Sequence, residues 1–141
     1  MTGRGWQGDP GALNGDMTDK PVLQPTAAHP ITVEPTGEHV VVRVGGDLVA
    51  ETDAALTLRE ASYPPVLYIP LTDVVPGRLQ PSDTTTYCPF KGDAGYYHLV
   101  TSDGRTVDDV GWTYRQPYPA VASIAGHLAF YPDKADVGVG A

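Results

Sequence analysis

A chain of 141 residues with 41% hydrophobic content has the length and apolar fraction for one folded domain with one core. A formal charge of −8 and a pI near 4.7 argue against a nucleic-acid binder, which needs a basic face to displace counterions, and equally against an anionic membrane surface. High glycine and proline disfavour long helices, no apolar run reaches the length of a membrane span, and a single cysteine excludes an internal disulfide or a multi-cysteine zinc site.

Residues 1–28 read as a disordered leader. They are rich in Gly, Pro, Asp and Thr, with Trp6, Leu13, Val22 and Leu23 scattered and no apolar period, so burial there cannot offset the entropy of ordering. They contain no apolar core of a signal peptide, and a reduced, cytoplasmic setting is expected. The β-rich domain is expected over residues 29–137, with 138–141 as a small-residue tail.

Ile31 to Val33 reads as a short strand. His39 to Val44 is a stronger one, built of β-branched valines. Gly45-Gly46 supplies a two-residue turn, because both positions accept positive φ, and Leu48 to Thr52 returns as the second arm. Ala54 to Glu60 fits either a short helical turn capped by Asp53 or an extended segment. After Pro64-Pro65, Val66 to Leu71 is a strand with Leu67, Ile69 and Leu71 on one face and Tyr68 on the other. Pro70 puts this strand at an edge or ends it. Asp73 and Pro76-Gly77 mark turns. Pro81-Ser82-Asp83 opens a polar loop into Thr84–Cys88, where Thr84, Thr86 and Cys88 share a face.

Asp103-Gly104 signals a hairpin. A two-residue loop there sets Val100 against Val107, His98 against Asp109, Tyr96 against Gly111 and Gly95 against Trp112. The core face then carries Tyr97, Leu99, Val110, Trp112 and Tyr114, and the wetter face Tyr96, His98, Val100, Val107 and Asp109. A bulge would exchange the faces. Ala120 to Ala125 reads as a short helix between Pro119 and Gly126. His127 to Tyr131 is the last strand, with Leu128 and Phe130 inward. Short strands spaced by turn signals make a mainly β, antiparallel single domain with one or two short helices.

The chain resembles the bacterial family called domain of unknown function 427, sometimes labelled a nucleotidyltransferase family. The resemblance rests on Arg59-Glu60, Tyr68-x-Pro70-x-x-Asp73-Val74, Thr86-x-Cys88-Pro89-Phe90-Lys91-Gly92-x-Ala94-x-Tyr96, Trp112-x-Tyr114-x-x-Pro117 and Ile124-x-Gly126-x-Leu128-Ala129-Phe130-Tyr131. It implies a small β-rich fold with a tent-like, partly open sheet, and no settled activity. From the resemblance and charge type, Glu60 and Asp73 are expected to partner Lys91 or Arg59.

The candidate site centres on the Cys-Pro-Phe-Lys-Gly turn. Cys88 and Lys91 are the catalytic candidates, since an ammonium beside a thiol favours the nucleophilic thiolate. The competing reading makes Cys88 a small buried hydrophobe. Lys91 is one of three lysines in an acidic chain, which suits it to an anionic ligand. His98 and Asp109 are expected as a cross-strand imidazole–carboxylate pair that would complete a Cys/His/Asp arrangement, or else as an ordinary surface pair. Asp108 and Asp109 cannot share a metal ion on a regular strand, because adjacent side chains point to opposite faces. Tyr68, Tyr96 and Trp112 are expected beside the pocket, with Glu60, Asp73, His98 and Asp109 as further ligand-binding residues. The histidines lack local metal-binding spacing, so neither a metal nor a cofactor is implied.

Two functions follow. One is a small-molecule-binding domain, or an enzyme, with its pocket around this turn and no role with nucleic acid or membrane. The alternative is a non-catalytic protein-interaction or structural module, with a homo-oligomer left open.

Overall fold

The computed structural model describes residues 20–140. Most of the stretch read as a leader, together with Ala141, lies outside the described residues. Residues 20–28 run against the domain: the Leu23 N–H donates to the Pro89 carbonyl at 2.9 Å, and the Tyr87 hydroxyl donates to the Pro21 carbonyl at 2.7 Å.

The described strands are β1 (Ile31–Pro35), β2 (Val40–Val44), β3 (Asp47–Thr52), β4 (Leu56–Glu60), β5 (Val66–Pro70), β6 (Leu79–Cys88), β7 (Gly92–Val100), β8 (Thr106–Thr113), β9 (His127–Phe130) and β10 (Asp136–Val139). Short 3₁₀ segments occupy Leu71–Asp73 and Pro119–Ile124. All strand pairs are antiparallel. They form a seven-stranded sheet in the order β1-β4-β5-β9-β8-β7-β6 and a three-stranded sheet in the order β10-β2-β3. Neither sheet closes on itself. The fold is therefore mainly β, a single domain of open antiparallel sheets.

Local chemistry explains most of the elements. Val44 pairs with Asp47 around Gly45-Gly46, whose φ values of 56° and 87° fit the two-residue turn. Residues 56–60 take the extended alternative, because β4 is held on both sides by β1 and β5. The strand ending at Pro70 sits inside the large sheet, and its proline falls at the last position, where the missing N–H costs least. Residues 136–139, partly assigned to a tail, form β10 because Val137 and Val139 pair with β2. The expected loop at Pro81-Ser82-Asp83 is instead a bulge within β6, which keeps pairing with β7 on either side of it.

The large sheet has two apolar faces. On one, Val40, Val42 and Val49 of the small sheet pack on Ile69, Leu99, Val110 and Leu128. On the other, Leu58, Tyr68, Ala94, Tyr96 and Tyr114 pack with Val121 and Ile124 of the second 3₁₀ segment. Leu67 and Tyr68 fall on opposite faces, as alternation requires.

The β7–β8 register differs from the expected one. Val100 faces Thr106, and the loop has three residues, Ser102-Asp103-Gly104, closed by Thr101 N–H to Arg105 O at 2.8 Å. Further along, Tyr97 faces Gly111 and Tyr96 faces Trp112. The shift comes from a bulge at Asp108-Asp109, where Asp109 takes a φ of 45°. As a result Trp112 and Tyr114 join Tyr96 in the second cluster instead of Tyr97 and Leu99 in the first.

Candidate functional site

The Cys-Pro-Phe-Lys turn is a three-residue connection between β6 and β7, with Cys88 paired to Gly92. It is pinned from both sides. The Pro89 carbonyl accepts from Leu23, and the Lys91 carbonyl accepts from the Tyr118 N–H at 3.0 Å. A fixed backbone fixes where the lysine side chain starts.

Lys91 is only 8% exposed. Its ammonium donates to Glu60 Oε1 at 2.7 Å and to Cys88 Sγ at 3.4 Å. Glu60 ends β4, and its other oxygen lies 2.8 Å from His29 Nε2. The His29 ring in turn stacks on Phe90, with centroids 4.3 Å apart. Burial pushes the Glu60 carboxyl up, but the hydrogen bonds from Lys91 and His29 outweigh it and hold the group below its ordinary value. The result is a hydrogen-bonded chain that runs from His29 through Glu60 and Lys91 to Cys88.

Lys91 and Glu60 stand in the wall of a cleft of about 320 Å³. Its other walls are Leu58 of β4, the Tyr63-Pro64 loop, Val66 and Tyr68 of β5, Tyr96 of β7, Trp112 of β8, Tyr114 and Tyr131. The size is at the small end of ligand pockets. The rings are locked to one another. Trp112 Nε1 donates to the Tyr68 hydroxyl at 3.2 Å, Trp112 packs on Tyr131 with centroids 4.7 Å apart, and the Tyr96 hydroxyl lies 3.0 Å from Thr86 Oγ1. Burial pushes the Tyr68 hydroxyl up to about 12. Burial, reinforced by the Tyr96 hydroxyl, does the same for Tyr131, also to about 12. Tyr114 is pushed up as well, again by burial. At neutral pH these phenols are protonated and able to donate.

The structure thus brings together Glu60, Tyr68, Lys91, Tyr96 and Trp112 among the expected site residues. Cys88 is half-buried behind Lys91 and does not line the cleft. Asp73 lies elsewhere, beyond the far end of β5, and partners neither Lys91 nor Arg59; it accepts from Thr52 Oγ1 at 2.6 Å.

His98 and Asp109 are not beside Cys88. His98 lies six positions along β7 from Gly92, the partner of Cys88, about 20 Å away at the rise of a strand. No Cys/His/Asp triad forms. The imidazole–carboxylate bond is also replaced. The bulge turns the Asp109 N–H toward His98 Nδ1, to which it donates at 3.0 Å, and a nitrogen that accepts this bond cannot donate to a carboxylate. Asp109 Oδ1 stays 3.6 Å away and is buried without a partner among the described residues. Among the described residues no group of three or more His, Cys, Asp or Glu side chains is placed to hold a metal ion.

Sequence reasoning missed His29, Tyr63, Tyr114 and Tyr131 as site residues. Tyr131 carried a signal, since it closes the Leu128–Tyr131 motif. His29 carried none, because it stood at the border of a stretch read as leader.

No helix among the described residues is long and apolar enough to cross a membrane. Residues 32–140 match a family described as Domain of unknown function (DUF427). No curated protein matches the chain.

Proposed function

The chain belongs to the DUF427 family, and within that family we propose that it binds a small organic molecule in the aromatic cleft, with Lys91 as the polar anchor. The observation that carries the reading is a lysine held almost out of water in the wall of a cleft whose other sides are mostly aromatic. A buried ion pair is seldom the most stable filling for such a place, since apolar side chains of similar volume do as well or better. An ammonium retained there, with protonated phenols beside it, suits a ligand that needs donors. Because Glu60 balances the charge of Lys91, the ligand is one whose carbonyl or carboxylate shares the ammonium. Flat rings on the walls favour flat or aliphatic molecules over bulky polar ones. Cys88 does not line the cleft, so in this reading it helps to hold Lys91 and does not attack.

The test is a fragment screen read by protein-detected NMR on wild type and Lys91→Met. Hits should perturb Tyr96, Trp112 and Tyr131, and should weaken at least tenfold in the variant while its melting curve stays cooperative. Hits that bind equally well without Lys91 would remove the anchor and the reading with it.

The interaction-module alternative draws on one observation. β10 is an edge strand of the small sheet, and Val139 on it is exposed, which suits strand addition by a partner. Light scattering on the full chain, with and without Val139→Lys, tests for self-association through that edge.

A further inference from the structure

We propose that the ligand of this cleft carries a hydrocarbon portion, which lies in an apolar trough reached through a split in the large sheet. The proposal rests on the reading of Lys91 as anchor and adds the class of molecule bound.

The split follows from register. β5 and β9 pair at Pro70 with His127 and at Ile69 with Leu128. Continued, that register would set Tyr68 against Ala129 and Leu67 against Phe130. The pairing stops first, while Ala129 and Phe130 pair on their other side with Trp112 and Gly111 of β8. β5 and β9 therefore diverge at the level of Leu67 and Phe130, and the sheet opens there.

Two cavities meet at this opening. The cleft described above and a second cavity of about 410 Å³ share four lining residues: Tyr63, Pro64, Val66 and Trp112. The second runs on over Leu67, Phe130, Pro132 and Val137. Leu67 and Phe130 come from the flanks of the split, and Val137 comes from the small sheet. The chemistry of the two halves differs. The cleft has an ammonium, a carboxylate and phenols, whereas no charged side chain lines the trough. A molecule that spans both has an acceptor-bearing head and an apolar chain. Continuity with the cleft commits the trough to that same ligand. The gain on binding is the removal of its apolar walls from water.

The experiment is a length series of straight-chain carboxylates, butanoate, octanoate and dodecanoate, titrated into the full chain by calorimetry below their micelle concentrations. Affinity should rise about fourfold per added methylene until the trough is full. Val137→Glu should flatten that rise and leave butanoate binding unchanged; Leu67→Ser provides a second variant should the first fail to fold. Lys91→Met should weaken every member equally. Binding that needs Lys91 but ignores chain length would overturn the trough and leave the anchor standing. A length dependence indifferent to all three variants would overturn both.

Discussion

The ammonium of Lys91 meets the carboxylate of Glu60 at 2.7 Å although the two residues come from opposite parts of the large sheet. Glu60 ends β4, Lys91 precedes β7, and three strands lie between those two in the sheet order. The contact exists because the sheet curls until its flanks face each other, and the aromatic cleft is the space inside that curl. The ion pair is both part of the cleft wall and a tie between β4 and the turn before β7.

Breaking this tie from one side should be costly. Glu60→Ala strands a nearly buried ammonium, and the loss should be about 3 kcal/mol in urea unfolding. Replacing both partners, as in Glu60→Leu with Lys91→Met, should recover most of it, because no charge is then left unpaired. Equal losses in the single and double variants would show that the pair does not hold the flanks together.

The same pair sets an acid limit. The Glu60 carboxyl lies below its ordinary value of 4.5 when folded, so it contributes stability above that value. The contribution is lost as pH falls from about 4.5 through the lowered folded value. Urea midpoints measured across this range should fall more steeply for wild type than for Glu60→Gln.

His39 should act in the opposite direction. Its ring nitrogens lie 2.6 Å from Asp53 Oδ1 and 2.6 Å from Glu51 Oε2, and these two hydrogen bonds raise its affinity for a proton above the ordinary 6.5. A raised group stabilises the fold below its unfolded value, and that stabilisation fades as pH rises through the folded one. NMR titration should show the His39 ring more than half protonated at pH 6.5. The urea midpoint should drift downward above that pH in wild type and stay level in His39→Gln.

Two glycines on neighbouring strands should respond differently to alanine. A Cβ on Gly111 would overlap the backbone carbonyl of Ala129, which cannot move without breaking the β8–β9 pairing. Gly111→Ala should cost more than about 3 kcal/mol or prevent folding. A Cβ on Gly95 meets the guanidinium of Arg115, the far end of an exposed side chain. Gly95→Ala should cost less than about 1 kcal/mol. Thermal melts of both variants decide the point.

Tyr68→Phe isolates one polar contact inside the cleft. It removes the acceptor of Trp112 Nε1–H and should cost about 1 to 2 kcal/mol in urea unfolding. The Trp112 fluorescence should shift as the indole loses its partner. In wild type, spectrophotometric titration should leave Tyr68 protonated until about pH 12.

Much of this site was legible residue by residue. Strand parity turns Tyr68 and Tyr96 away from the more aliphatic side of their strands, and the two rings stand in the wall of one cleft. The closeness of Cys88 and Lys91 followed from three residues bent at a proline. The faces of β8 were not legible, because the bulge at Asp108-Asp109 depends on what β7 and β9 offer as partners. The misplaced register sent Trp112 to the wrong face and paired His98 with Asp109 through the wrong atoms. The resemblance and charge type group Asp73 with Glu60, and neither says from which end of a strand a residue faces a partner; Asp73 meets Thr52 instead.

The sequence by itself determined the β class, the Gly45-Gly46 turn, the stop at Pro70 and the concentration of polar chemistry in the Cys-Pro-Phe-Lys turn. Those features arise within a few residues, where backbone sterics and side-chain alternation act. Only the tertiary structure decided that Glu60 bridges His29 and Lys91, that Trp112 stands beside Tyr68, and that β5 parts from β9 above the trough. These depend on the accumulated twist of seven strands and on competition between neighbouring ladders for the same hydrogen bonds. No local residue pattern encodes that sum.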